Sequence, residues 1–169
     1  MSDVVYDLET YRNVFTLAAE HVDYPLTWCF EISPWRDDSI EIVNWVHWLR
    51  SKNMRMVGFN NLGFDYPVLH MLLKMGRCPA QMLYDKAQAI IGSQETNRWE
   101  HMVYPSDRFI EQIDLMKIHH FDNKARMTSL KALEFNMRMD DVSDLPFPVG
   151  STLTREQVPV LKTYNAHDG

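Results

Sequence analysis

Asp7-Leu8-Glu9 near the start of the chain, Asn61-Leu62-Gly63-Phe64-Asp65 further on, and Tyr164 to Asp168 near its end are the segments whose residue types and spacing suit chemistry. Each lies at the end of an apolar, strand-like run or in a helix-like stretch, so folding can gather the carboxylates of Asp7, Glu9, Asp65 and Asp168 from both ends of the chain. Ionised carboxylates crowded within a few ångströms repel one another, and proteins relieve this by raising pKa values or by binding cations. A donor set of carboxylates without thiolate suits hard dications, Mg²⁺ or Mn²⁺. The chemistry that a pair of such ions serves is phosphoryl transfer.

Together the three segments resemble the three motifs of the DEDD superfamily of 3′-5′ exonucleases, in its tyrosine subtype. They match D-x-E at Asp7 to Glu9, followed by Thr10; N-x-x-[FY]-D at Asn61 to Asp65; and Y-x-x-x-D at Tyr164 to Asp168. D-x-E alone is common, but three motifs in order with the right flanks are specific, and the match spans the whole chain. A narrower resemblance also appears. Asp7 to Thr10, Asn60 to Asp65, the Ser129-Leu130 pair and Pro148-Val149-Gly150 are similar to the proofreading domain of phage family B DNA polymerases, especially protein-primed ones.

That resemblance implies a ribonuclease H-like fold and a two-metal enzyme that hydrolyses the terminal phosphodiester of single-stranded DNA, joined to a polymerase domain in a longer chain. It assigns Asp7 to both metals, Glu9 and Asp168 to the one on the side of the attacking water, and Asp65 to the other through water. Tyr164 orients the nucleophilic water; with a reference pKa of about 10, a phenol positions better than it deprotonates. Recognition of the 3′ end falls to Thr10, Asn61, Phe64, Ser129 and Leu130: a ring for stacking and polar groups for sugar or phosphate, none of which reads sequence. One departure stands out. The phage domains carry an auxiliary lysine before the third motif, and no lysine lies between Met137 and Gly150, which leaves Arg138, Lys124 and Lys131 as substitutes. The histidine subtype is excluded because Thr163 occupies its histidine position, despite His167 beside Asp168. His119, His120, His101 and Cys78 lack zinc-ligand spacing. Two other readings compete: an RNA 3′-5′ exonuclease of the same superfamily, since the carboxylates do not distinguish the 2′-position, and a catalytically silent nucleic-acid-binding module.

The elements that must position these residues can be read from periodicity. Val4 to Leu8, Val14 to Ala19 and Leu26 to Ile32 read as neighbouring antiparallel strands, with Asp7 and Glu9 on one face and Leu8 on the other. Ile42, Val43, Val46 and Leu49 recur at helical spacing behind Asp37, Asp38 or Ser39 as cap, with Trp45 and Trp48 expected to pack rather than stack bases. Arg55 to Phe59 reads as a strand, Pro67 opens a helix with Asp65 at its N-terminus, and a further helix runs from about Pro79 to Ile91. After an irregular Gly92 to Pro105, Phe109 to Ile118 reads as a strand, Thr128 to Met137 as a helix and Asp140 to Gly150 as loop. Thr154 and Gln157 form a capping box for the last helix, in which Pro159 forces a kink or a later start, and Tyr164 and Asp168 share a face. The sum is an α/β fold, a mixed central sheet with an N-terminal antiparallel meander flanked by helices.

At 169 residues with 46% hydrophobic content the chain suits one domain with a full core. It lacks an apolar run long enough to cross a bilayer and a signal-peptide pattern, so no membrane partner and a cytoplasmic site are expected, that of a bacterial host if phage-encoded. Cys29 and Cys78 are expected to be buried, reduced thiols. The net charge of −6 opposes a generic nucleic-acid binder, but two dications would place four positive charges where the phosphate sits. Because a metal ligand one residue from the end would sit on a fraying helix, the sequence is expected to be cut from a longer protein just after the third motif.

Overall fold

The computed structural model describes residues 2–97, 99–117 and 145–168, apart from the side chains of His167 and Asp168. Alternation of buried Val4, Tyr6 and Leu8 with half-exposed Val5, Asp7 and Glu9 makes β1 (Asp3–Thr10) a strand with two distinct faces. It pairs antiparallel with β2 (Phe15–His21), which pairs antiparallel with β3 (Thr27–Ile32). On its other side β1 pairs parallel with β4 (Arg55–Gly58), and β4 parallel with β5 (Gln112–Asp114). The result is a five-stranded mixed sheet of order β3-β2-β1-β4-β5 flanked by helices, with the expected antiparallel meander at its start.

One face of the sheet carries the main core. Val4, Tyr6, Leu8, Phe15 and Leu17 meet α1 (Ser39–Ser51), α2 (Asp65–Met75) and α3 (Ala80–Ser93) through Ile42, Val46, Leu49, Leu69, Leu72, Leu83 and Ile90. Trp45 is buried there beside Phe30, whereas Trp48 stays 41% exposed with its ring against Trp28. The opposite face is covered by α4 (Val158–Asp168), which lies on β1 and β2. A smaller apolar cluster of Tyr11, Val14, Leu153, Val158 and Leu161 joins α4 to the turn between β1 and β2. Asn13 fastens that turn to the preceding segment by accepting from Leu153 N at 2.8 Å and donating to Leu153 O at 2.8 Å.

Two expectations need correction, and the alternative left open at Pro159 is decided. Of the strand read from Phe109 to Ile118, whose last residue lies outside the described ones, only Gln112–Asp114 is strand among the described residues, because its partner β4 has four residues and the chain turns helical at Leu115, where Asp114 Oδ1 accepts the Met116 amide at 3.0 Å. Cys29 is exposed rather than buried, since it alternates outward between Trp28 and Phe30 on the edge strand, while Cys78 is buried as expected. Pro159 produces the later start: Thr154 and Gln157 close their capping box around a 3-10 turn, Arg155–Gln157, and α4 begins at Val158 with Pro159 in its first turn, where a missing amide hydrogen costs no bond. The helix expected over Thr128 to Met137 lies outside the described residues, as do Ser129, Leu130, Lys124, Lys131 and Arg138. Among the described residues no helix is long and apolar enough to cross a membrane.

Candidate active site

At the C-terminal ends of β1 and β4 a cleft of about 390 Å³ is lined by Asp7, Glu9 and Thr10 from β1, by Phe59, Asn60, Phe64 and Asp65 from the segment leading into α2, and by Tyr164 from α4. Three sequence segments that are far apart thus meet on one surface. Asp7 and Glu9 reach it together because they alternate with buried Tyr6 and Leu8. Asp65 is the first residue of α2, 8% exposed, where the unpaired helix amides favour a negative charge. α4 runs through Asp168, whose side chain lies outside the described residues.

The segment before Asp65 is held by groups that no motif announced. Asp114, buried at the end of β5, accepts the amides of Asn60 at 2.8 Å and Leu62 at 3.2 Å, so one carboxylate fixes the turn. Asn60 adopts a left-handed φ of 56°, which asparagine tolerates better than most residues. The carbonyl of Asn60 accepts from Phe64 N at 3.0 Å and that of Asn61 from Tyr66 N at 2.7 Å, which delivers the chain into α2 with Asp65 facing the cleft. Asn61 itself is a correction. Expected to contact sugar or phosphate, it is fully buried under the turn, its amide donating to Gln112 Oε1 at 2.9 Å beside the Tyr6 hydroxyl at 2.7 Å. Rotating the Asn61 amide instead gives its nitrogen the carbonyls of Gly58 at 3.1 Å and Ile113 at 3.2 Å; either way the amide serves the fold rather than the cleft. Of the other recognition candidates, Thr10 and Phe64 line the cleft.

Asn165 links the first and last segments. Its Nδ2 donates to Asp7 Oδ2 at 3.1 Å and its Oδ1 accepts from Thr16 Oγ1 at 2.8 Å. The signal for it is visible in retrospect: Val158, Leu161 and Asn165 fall on one buried stripe of α4, and an amide on an apolar stripe requires a polar partner. Further along, Lys162 Nζ meets the buried Glu31 carboxylate of β3 at 2.8 Å, a second tether of the helix to the sheet.

Acidity around the cleft is felt by its tyrosines. Burial and then the charge of Asp65 push Tyr6 well above the usual phenol range. Burial and then Glu9 push Tyr11 up to about 12, and its hydroxyl donates to Phe147 O at 3.0 Å. The far wall, which the sequence did not suggest, is α3 with Gln88 and Ile91, Gln94 just past its end, and Leu145 and Val149. A larger concavity of about 710 Å³ at the opposite end of β4 and β5 is lined by Arg50, Lys52 and Arg108, with Glu111 the one carboxylate among the described residues that line it.

Oxygen donors without thiol or imidazole are what Mg²⁺ or Mn²⁺ takes, and Asp7, Glu9 and Asp65 supply them within one cleft. Among the described residues, however, no three His, Cys, Asp or Glu side chains are drawn close enough to form a ready ligand cluster. Comparison with protein-family models, curated proteins and solved structures gives no match for this chain.

Proposed function

We propose that the chain is a ribonuclease H-like, metal-dependent 3′-5′ exonuclease acting on single-stranded DNA, the proofreading part of a DNA polymerase. The observation that carries this reading is the meeting of Asp7, Glu9, Asp65 and Tyr164 in one cleft, although they come from opposite ends and the middle of the sequence. The mixed sheet with its antiparallel meander agrees with the architecture that the motif resemblance implies.

In this reading Asp7, Glu9, Asp65 and Asp168 hold two dications, Mg²⁺ or Mn²⁺. Those ions, when bound, stabilise the charge that develops on the entering and leaving oxygens of an in-line displacement. The Tyr164 hydroxyl orients the attacking water by hydrogen bonding. Thr10 offers a hydroxyl to the terminal sugar or phosphate, and Phe64 a ring edge or face to its base. Ile91 and Val149, both more than half exposed, extend the apolar wall that a splayed base covers.

A time-resolved digest of 5′-labelled and 3′-labelled single strands, with Mn²⁺ or with chelator, tests the proposal. Stepwise loss from the 3′ end that requires metal and disappears in Asp7→Ala is expected. An inert wild-type protein under Mn²⁺ would leave only a binding module, and a matched RNA strand degraded faster than DNA would move the substrate to RNA.

A further inference from the structure

We propose that Asn165 is a positioning residue, whose amide sets the Asp7 carboxylate and the helix bearing Tyr164 in one register and thereby governs how tightly the cleft takes up a divalent cation. The inference rests on the reading of the cleft as a metal-dependent nuclease site.

The side chain is fully buried, so its hydrogen bonds are made with protein or not at all. An ionised carboxylate only accepts, so the end of the amide that faces Asp7 Oδ2 at 3.1 Å must be the NH₂. Its oxygen is then committed to the Thr16 hydroxyl at 2.8 Å, and the same NH₂ lies 3.3 Å from the Asp7 carbonyl. Orientation is therefore fixed by chemistry at both ends. Thr16 stands opposite Glu9 across the β1–β2 pair, so one amide spans two strands at the level of the acidic pair. No other side chain of this size does both tasks: aspartate would face carboxylate with carboxylate, and leucine would leave the Thr16 hydroxyl without its acceptor and Asp7 without this donor. Hydrogen bonds of this kind to a ligating carboxylate restrict its rotamer, and their removal from metal sites typically lowers affinity by about 10- to 100-fold.

A structural role alone would also make the residue costly to remove, so the test must separate the two. Asn165→Leu removes the acceptor of the Thr16 hydroxyl and one donor to Asp7, and is expected to lower the urea midpoint. Thr16→Val/Asn165→Leu removes the hydroxyl as well, so the share of the loss that came from the stranded Thr16 hydroxyl is expected to return. Free Mn²⁺ measured by electron paramagnetic resonance during titration then gives the affinity of each protein in the absence of DNA. The expected result is a dissociation constant weakened about 10-fold or more in both variants, including the restabilised one. Affinity that returns to the wild-type value along with stability overturns the proposal while leaving the nuclease reading in place. Wild-type protein that takes up no Mn²⁺ overturns both. Asn165→Ala, which adds no bulk, gives the same comparison should a leucine variant fail to fold.

Discussion

A methyl group at Gly58 would sit 2.8 Å from Asn61 Cβ, because the turn after β4 folds Asn61 directly beneath it. Gly58→Ala therefore forces the turn or the buried Asn61-Gln112 pair to move, and is expected to cost about 1–3 kcal/mol, read from urea unfolding. Asp114 works from the other side of the same turn. Asp114→Ala strands the amides of Asn60 and Leu62 and is expected to cost about 2–4 kcal/mol and, under the proposed function, to lower activity by displacing Asp65. Asp114→Asn, which keeps one acceptor oxygen, should fall between. The D-x-E acids were legible in the sequence because period-two alternation is local and Leu8 marks the inward face. Asn61 was misread for a related reason: its motif spacing is right, but whether an asparagine beside a turn faces a ligand or the interior depends on Gly58 and Gln112, the latter on a distant strand. Asp114 carried no local signature at all.

Among the elements, α4 depends on polar tethers as much as on apolar contacts. Lys162→Met leaves the Glu31 carboxylate buried without its cation and should cost up to about 3 kcal/mol, whereas Glu31→Gln/Lys162→Met should return toward wild type. α2 carries a pH-sensitive group. His70, in contact with the Tyr66 hydroxyl at 3.1 Å and stacked on Phe109, has its pKa lowered by burial and then by the charge of Lys74. The unfolded chain protonates this imidazole at its ordinary pKa of about 6.5 while the folded one resists, so stability holds above that pH and declines as pH falls toward the folded value. Urea midpoints between about pH 7.5 and 5.5 should show that decline, and His70→Gln should flatten it. Among the described residues element types followed from periodicity; the short β5 did not, since Phe109 to Lys117 keeps an apolar pattern while β4 offers only four residues and the chain turns helical at Leu115.

For the molecule as a whole, the proposed function makes divalent cations ligands of the native state, drawn by a net charge of −6 and by three acids lining one cleft. Mn²⁺ at about 100 times its dissociation constant should add about 2.7 kcal/mol to folding, seen as a raised thermal midpoint that chelator reverses and that Asp7→Ala lacks. The overall α/β arrangement was legible because strands and helices each bury one side, whereas the far wall of the cleft, α3 with Gln88 and Ile91, was not, since nothing in a helix's own pattern says what its exposed side overlooks. The docking of α4 onto β1 and β2 has one more consequence, for biosynthesis. A ribosome adding roughly 5–20 residues per second makes the Asp7-Glu9 pair many seconds before it makes Tyr164. Until α4 has emerged and docked, the nascent polypeptide presents Asp7 and Glu9 without Tyr164, so the order of synthesis makes this cleft one of the later features of the fold to be completed.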